Sequence, residues 1–265
     1  MTDMELYEAI FKRKSTRQYA VGPLPEDVMA RIESIAGQAD RLYDTGLQIH
    51  VVRDGKKIHE TFKGILSSYV NVTAPHYLVV SSGERPGWRE NSGYTLEQVV
   101  LEMTQMGLAT CWMGGRADRK SLKETLAIDR SRVVGVFIAF GKPASEGDQY
   151  RNDPKEAKRK TLSRIVIGQP DENWTKLLEA ARMAPSAVNS QPWRFFVNSG
   201  RADMYIAKPN PFAQRMYGAL NPVDAGIALR HVAIAARHYN LPLKIAKMQL
   251  PERKNHTYIT SMMIG

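Results

Sequence analysis

Several short stretches of the chain concentrate side chains that could hold an anionic ligand. Arg13-Lys14-Ser15-Thr16-Arg17 has the form R-x-S-x-R, offering guanidinium forks and hydroxyls of the kind that match phosphate oxygens. Ala184 to Trp193 reads A-P-S-x-x-N-x-Q-P-W, with Pro185, Ser186, Ala187, Asn189 and Gln191 within it. Small, hydrogen-bonding and proline residues suit a loop that presents its own backbone and side chains. Cys111-Trp112-Met113-Gly114-Gly115 ends in a glycine pair, where a backbone can come close to a ligand. A basic tract, Lys158-Arg159-Lys160, lies in a charged linker running from 145 to 160. Plainer readings stand beside these. A basic cluster at a helix end can be solvated and complement the helix dipole, and Gly-Gly is often only a turn.

The charge balance agrees with an anionic ligand. With 37 basic against 27 acidic residues, a net charge of +10 and a pI near 9.6, the chain attracts nucleic acid or a phosphorylated cofactor. The basic residues are dispersed, and no RNP, zinc-finger or helix-turn-helix pattern is present, so a nucleic-acid partner is not expected. No metal-ligand spacing, nucleophile elbow or Walker motif occurs. Cys111, the single cysteine, reads as a small buried hydrophobe, and His231 as packed on an apolar helix. One cysteine excludes an internal disulfide and fits a reducing compartment. The early acids and late bases of the N-terminus are the wrong order for a secretory signal, and no apolar run is long enough for a membrane span. A cytoplasmic protein without a membrane partner is expected.

The elements that must position these residues follow from periodicity. Helices are expected over 4–12, 27–39, 56–66, 94–106, 121–126, 174–183 and 223–238, and strands over 47–52, 77–80, 108–113, 133–140, 193–197 and 258–264. Trp193 and Phe195 read as core. The pattern also restarts. Pro25-Glu26-Asp27 resembles Pro170-Asp171-Glu172, and Ile49 to Val52 matches Arg194 to Val197, both at an offset of 145. Met106-Gly107-Leu108 matches Tyr239-Asn240-Leu241 after another long helix. These matches suggest an internal duplication of an α+β unit, with a first half at 1–160 and a shorter second half at 161–265.

Taken in order, R-x-S-x-R, the Gly-Gly turn, the Phe140-Gly141-Lys142-Pro143 and Lys158-Arg159-Lys160 region, and the P-S-x-x-N loop resemble the FMN-dependent nitroreductase family. The likeness is to its single-chain, internally duplicated variants and spans nearly the whole chain. It implies an α+β fold of two pseudo-symmetric halves, each a mixed or antiparallel sheet flanked by helices. The family is ordinarily a homodimer, one subunit supplying the first three features and its partner the P-S-x-x-N loop. Here the loop sits in the second half. Its first-half counterpart, Asp40 to Asp44, reads DRLYD without proline or asparagine. The second half likewise lacks R-x-S-x-R and Gly-Gly. The resemblance therefore implies a pseudo-dimer within one chain, holding one FMN.

On that resemblance Arg13, Lys14 and Ser15, with Lys158, Arg159 and Lys160, serve the phosphate, and Arg17 faces the part of the flavin that gains negative charge on reduction. Asn189 meets the pyrimidine edge, with Pro185, Ser186, Ala187 and Gln191 around it. Met113, Gly114 and Gly115 bring backbone near flavin N5. The implied reaction takes electrons from NAD(P)H through FMN to a nitroaromatic, quinone or similar small acceptor, the cofactor and no side chain doing the chemistry. Two alternatives remain open: a flavoprotein of the same fold with another reaction (dehalogenation, flavin fragmentation, enoate reduction), or a vestigial flavin-binding protein with little turnover.

Overall fold

A computed structural model describes residues 5–61, 72–114, 118–198 and 200–265. The chain divides into two compact units, Met1–Asp153 and Pro154–Gly265. The basic tract Lys158-Arg159-Lys160 thus belongs to the second.

The first unit holds helices α1 (Leu6–Lys12), α2 (Glu26–Gln38), α3 (Gly55–His59), α4 (Trp88–Gln105) and α5 (Arg119–Thr125). Its strands are β1 (Gln48–Val52), β2 (His76–Ser82), β3 (Ala109–Met113) and β4 (Val133–Gly141), in the order β1-β2-β4-β3 and antiparallel throughout. The central strands are apolar almost residue by residue because both faces are covered: every residue of β2 is buried, and α4 packs on β3 and β4. Cys111, Met113, Phe137, Tyr77 and Val79 share one core cluster with Ile58 of α3 and Leu122 of α5. The α3 expectation over 56–66 runs into residues 62–71, which lie outside those described; the helix itself is Gly55–His59. Helix α4 begins at Trp88, six residues earlier than apolar periodicity indicates. Its first turn, Trp-Arg-Glu-Asn, has a single apolar residue and so no periodic signal, and left-handed Gly87 (φ +82°) starts it.

The second unit runs α6 (Leu162–Ile165), β5 (Val166–Ile167), α7 (Glu172–Arg182), β6 (Trp193–Asn198), β7 (Arg201–Ala207), α8 (Pro211–Tyr217), α9 (Asn221–His238), β8 (Leu243–Ala246) and β9 (His256–Ile264). The sheet order is β5-β6-β7-β9-β8, with β5 parallel to β6 and the other pairs antiparallel. Helix α7 starts where Asp171 accepts from the Trp174 N–H at 2.7 Å. It packs on α9, which covers β6 and β7. Trp193 and Phe195 are fully buried in the core. Strand β7, which periodicity missed, pairs antiparallel with β6; it begins at Arg201 and carries Asp203 within an apolar run.

The fold is α+β with two pseudo-symmetric halves. The series β6-β7-β9-β8 repeats β1-β2-β4-β3. In both sheets the register slips at the same place: after Val79, which pairs with Phe137, and after Met204, which pairs with Thr260. Helices α4 and α9 each contain 18 residues.

Candidate functional site

In the first unit, α1 stops at Lys12 and the chain turns extended at Arg13 (φ −56°, ψ 130°). The following residues are then tied in on two sides. Ser15 bridges Thr110 in β3, the Thr16 N–H donates to the Thr110 carbonyl at 3.0 Å, and the Thr16 hydroxyl donates to the Asp148 carbonyl at 3.0 Å. On the other side the Lys14 N–H donates to the Gln149 carbonyl at 3.2 Å, and the Arg151 N–H to that of Lys12 at 2.8 Å. Arg13 is only 3% exposed. Both of its terminal nitrogens lie 3.4 Å from Ser15 Oγ, and among the described residues no carboxylate pairs with it. Lys14 is half-buried and Arg17 exposed.

In the segments that flank this turn, Thr110 Oγ1 and Gln149 Oε1 are buried and have no hydrogen-bond partner among the described residues. A buried guanidinium without a counter-charge is costly. A dianionic phosphate offers that counter-charge, and it can accept from the Arg13 guanidinium and from the Ser15 hydroxyl beside it. The donor set of this corner therefore fits the phosphate of a mononucleotide. Burial raises the Cys111 thiol and the Tyr19 phenol, and Arg17 and Arg13 oppose the rise in both, which places positive potential along this edge of β3. With its pKa raised and its side chain buried, Cys111 is no nucleophile. Met113 is buried at the end of β3 and Gly114 is exposed just beyond it; Gly115 lies outside the described residues.

In the second unit, the loop from Pro185 to Gln191 has an unusual backbone. Val188, Asn189 and Gln191 all have positive φ (49°, 56° and 49°), which L-residues other than asparagine rarely adopt. The loop is closed on itself: the Gln191 N–H donates to Ser186 Oγ at 2.9 Å and the Asn189 N–H to the Ser186 carbonyl at 3.0 Å. The basic tract grips it from outside. Arg159 donates to Asn189 Oδ1 and to the carbonyl of Met183 (3.2 Å). Lys160 Nζ donates to the carbonyls of Ser190 (2.6 Å) and Gln191 (3.1 Å), while its N–H donates to Gln191 Oε1 at 2.6 Å. Burial, aided by Arg194 and Arg164, lowers the Lys160 pKa. Pro185 is buried, Ala187 half-buried, and Lys158 keeps an exposed side chain. Thus the structure brings Arg159 and Lys160 together with Asn189 and Gln191, and separately Arg13 with Ser15 and Thr110. His231 is buried and bonded to the Ala180 carbonyl at 2.9 Å.

One anchor of the loop escaped sequence reasoning. The Ala187 N–H donates to the Asp224 carboxyl, 3.1 Å from Oδ1 and 3.2 Å from Oδ2, and Asp224 is 4% exposed. The only sequence signal was an acid inside the apolar helix α9. The counterpart segment in the first unit is held the same way. The N–H groups of Leu42 (2.7 Å) and Tyr43 (3.2 Å) donate to Asn91 Oδ1, and Asn91 Nδ2 donates to Thr45 Oγ1 at 2.9 Å. Residues 41–47 line a shallow cavity of about 290 Å³.

A family model described as "Putative TM nitroreductase" matches residues 5–236. The fold is similar to that of a "putative nitroreductase" from Thermotoga maritima, at 23% identity and a TM-score of 0.64, covering 100% of this chain and 95% of that one. An FMN-dependent nitroreductase from Clostridium difficile R20291 aligns at 20% identity and a TM-score of 0.45, over 54% of this chain and 91% of that one. No curated protein matches.

Proposed function

The chain belongs to the putative TM nitroreductase family, and on that premise we propose that it is an FMN-dependent oxidoreductase. The observation that carries this reading is the buried Arg13 guanidinium, which has Ser15 beside it and, among the described residues, no carboxylate paired with it. On this reading Arg13 and Ser15 hold the FMN phosphate, and Lys14 and Arg17 add positive potential. The loop Pro185–Gln191 offers the flavin ring its donors and acceptors, with Ser186, Asn189 and Gln191 as polar contacts. Arg159 and Lys160 already donate inward to this loop and so set its shape, leaving Lys158 exposed as the tract's contribution to the phosphate.

The chemistry supplied by the bound group is hydride and electron transfer from NAD(P)H to a small acceptor such as a nitroaromatic or quinone. The chain's own part is to bind, orient and charge-balance. Arg17 provides a cation that favours the reduced, more negative form. No acid–base pair is needed beyond this.

We also read the two units as copies of one ancestral unit, a pseudo-dimer in a single chain with one FMN. This is supported by the shared strand order, the shared register slip and the shared bond from a loop N–H to the fourth residue of α4 or α9. The test is direct. Flavin is extracted from freshly purified protein and identified, and the holoprotein is titrated anaerobically with NADH and NADPH before a nitroaromatic or quinone is added. Bleaching by the nicotinamide and recovery with the acceptor are expected. No flavin, and no uptake of added FMN, overturns the reading.

A further inference from the structure

The strained loop of the second unit rests on an inward contact that no ligand supplies. Three positive-φ residues in four positions cost energy, of the order of 1–3 kcal/mol for each sparsely populated conformation, and persist only where surrounding groups hold them. Arg159 and Lys160 hold the far side, from Asn189 to Gln191. The near side, just after Pro185, is held by Asp224 through the Ala187 N–H.

The two units solve this task at matched positions. Asn91 and Asp224 are each the fourth residue of an 18-residue helix, α4 and α9. Their acceptors meet Leu42 and Ala187, which stand 145 residues apart, the same spacing that relates β1 to β6. In the first unit a neutral amide does the work. In the second it is a carboxyl 4% exposed, whose two oxygens share the Ala187 N–H.

From this geometry we propose that Asp224 is the positioning residue of the Pro185–Gln191 loop, fixing its entry so that Ser186, Asn189 and Gln191 meet the ligand, as Asn91 fixes the counterpart loop. The ligand side of this statement rests on the FMN reading; the loop side does not. Burial pushes the Asp224 carboxyl well above the usual carboxylate range, with the Ala187 N–H opposing. An asparagine at this position would offer the Ala187 N–H an amide oxygen, as Asn91 offers one to the Leu42 N–H in the other unit. Asparagine at 224 is therefore the conservative replacement, and alanine the disruptive one.

The experiment compares the wild type with Asp224→Asn and Asp224→Ala by amide exchange at Ala187, read by NMR, and by titration with FMN. Asp224→Ala is expected to speed exchange at Ala187 by about tenfold or more and to raise the FMN Kd by a similar factor, the equivalent of one hydrogen bond. Asp224→Asn is expected to keep the protection that alanine loses. The proposal is overturned if Ala187 exchanges no faster in Asp224→Ala, or if Asp224→Asn loses as much protection as alanine. Should Asp224→Ala fail to fold, Asp224→Asn alone decides, because loss of Ala187 protection there also overturns the proposal and its retention sustains it. If the wild type takes up no FMN, the functional reading falls, while amide exchange still tests the loop assignment.

Discussion

Arg13 Nη1 and Nη2 both lie 3.4 Å from Ser15 Oγ, and among the described residues this hydroxyl is the only side-chain partner of a guanidinium that is 3% exposed. An ion pair built for stability would place a carboxylate here. Replacing Arg13 by alanine should therefore act in opposite directions on the two states. FMN affinity should fall about 10- to 100-fold, the value of a charge-assisted bond of roughly 1.5–3 kcal/mol. The flavin-free protein should be at least as stable as the wild type, because an unpaired buried charge has been removed. Ser15→Ala should cost FMN affinity less, about tenfold at most. FMN titration and denaturant unfolding of the apo form check both. Unchanged affinity in Arg13→Ala sinks the phosphate assignment.

Flavin should be present at one equivalent per chain. In the first unit the segment that would serve a second site, Asp40 to Asp44, lacks the proline and asparagine of the second-unit loop, and its backbone groups are bonded internally. Leu42 and Tyr43 give their N–H groups to Asn91, the Thr95 hydroxyl donates to the Asp40 carbonyl at 3.0 Å, and Gln98 accepts from the Asp40 N–H at 3.0 Å. The ratio of flavin absorbance to chain concentration measures this directly. Two equivalents would mean that residues 40–44 can open for a ligand.

The first unit should lose stability in acid before its carboxylates titrate. His50 and His76 both have pKa values below the ordinary 6.5, chiefly because burial disfavours the imidazolium. His76 accepts the Leu24 N–H at its Nε2 (2.9 Å) while its Nδ1 lies 2.6 Å from the Arg53 carbonyl, so a second proton displaces a bond. Between the depressed values and 6.5 the unfolded chain binds more protons than the folded one. Stability is then fully present above 6.5 and declines as pH falls through that value towards the folded pKa values. Denaturant unfolding at stepped pH should show this slope, and His76→Gln should flatten it while costing about 1–2 kcal/mol near pH 7.5. An unchanged slope in that variant rules out His76 as a source.

Much of this organisation was legible in the sequence, for identifiable reasons. The long apolar runs that became β2 and β4 carry their own signal because both faces are covered, α2 and α7 because each buries one face, and α9 because it is apolar on nearly all sides. The matching strand order of the two units was legible as matched spacings, at an offset of 145. Polar tertiary contacts were not. Thr110 is one threonine in a strand until Ser15 is laid beside it, and Asp224 is one acid in an apolar helix until the Ala187 N–H reaches it. The direction of Arg159 was also beyond reach: a basic tract announces charge, whereas its donation to Asn189 and to the Met183 carbonyl depends on how the loop folds back.

Gly168 should tolerate no side chain. It turns the chain out of β5 at φ +105°, and a Cβ there would sit 2.3 Å from the Val197 carbonyl oxygen of the β6 strand. The contact is with backbone of a paired strand, so no rotamer change relieves it. Gly168→Ala should destabilise the second unit by about 2 kcal/mol or more, combining left-handed strain with displaced strand pairing. Thermal unfolding with a probe in the second unit, such as the buried Trp174 or Trp193, reads the effect. A midpoint equal to the wild type would show that β5 can leave β6 without consequence.

Val188 offers the opposite case, a position where the native residue is the poor choice. Its side chain is 76% exposed, so it contributes little burial, yet its φ of 49° places a β-branched residue in the left-handed region. Asparagine adopts that region readily and is already accommodated there next door at Asn189, φ 56°. Val188→Asn should therefore stabilise the flavin-free protein by roughly 1 kcal/mol, the usual cost of a left-handed residue with a Cβ branch. At this size that is about 2–4 °C in Tm. Calorimetry on the apo form decides it. A lower Tm would mean that the Val188 methyl groups do packing work within the loop that outweighs the backbone strain they impose.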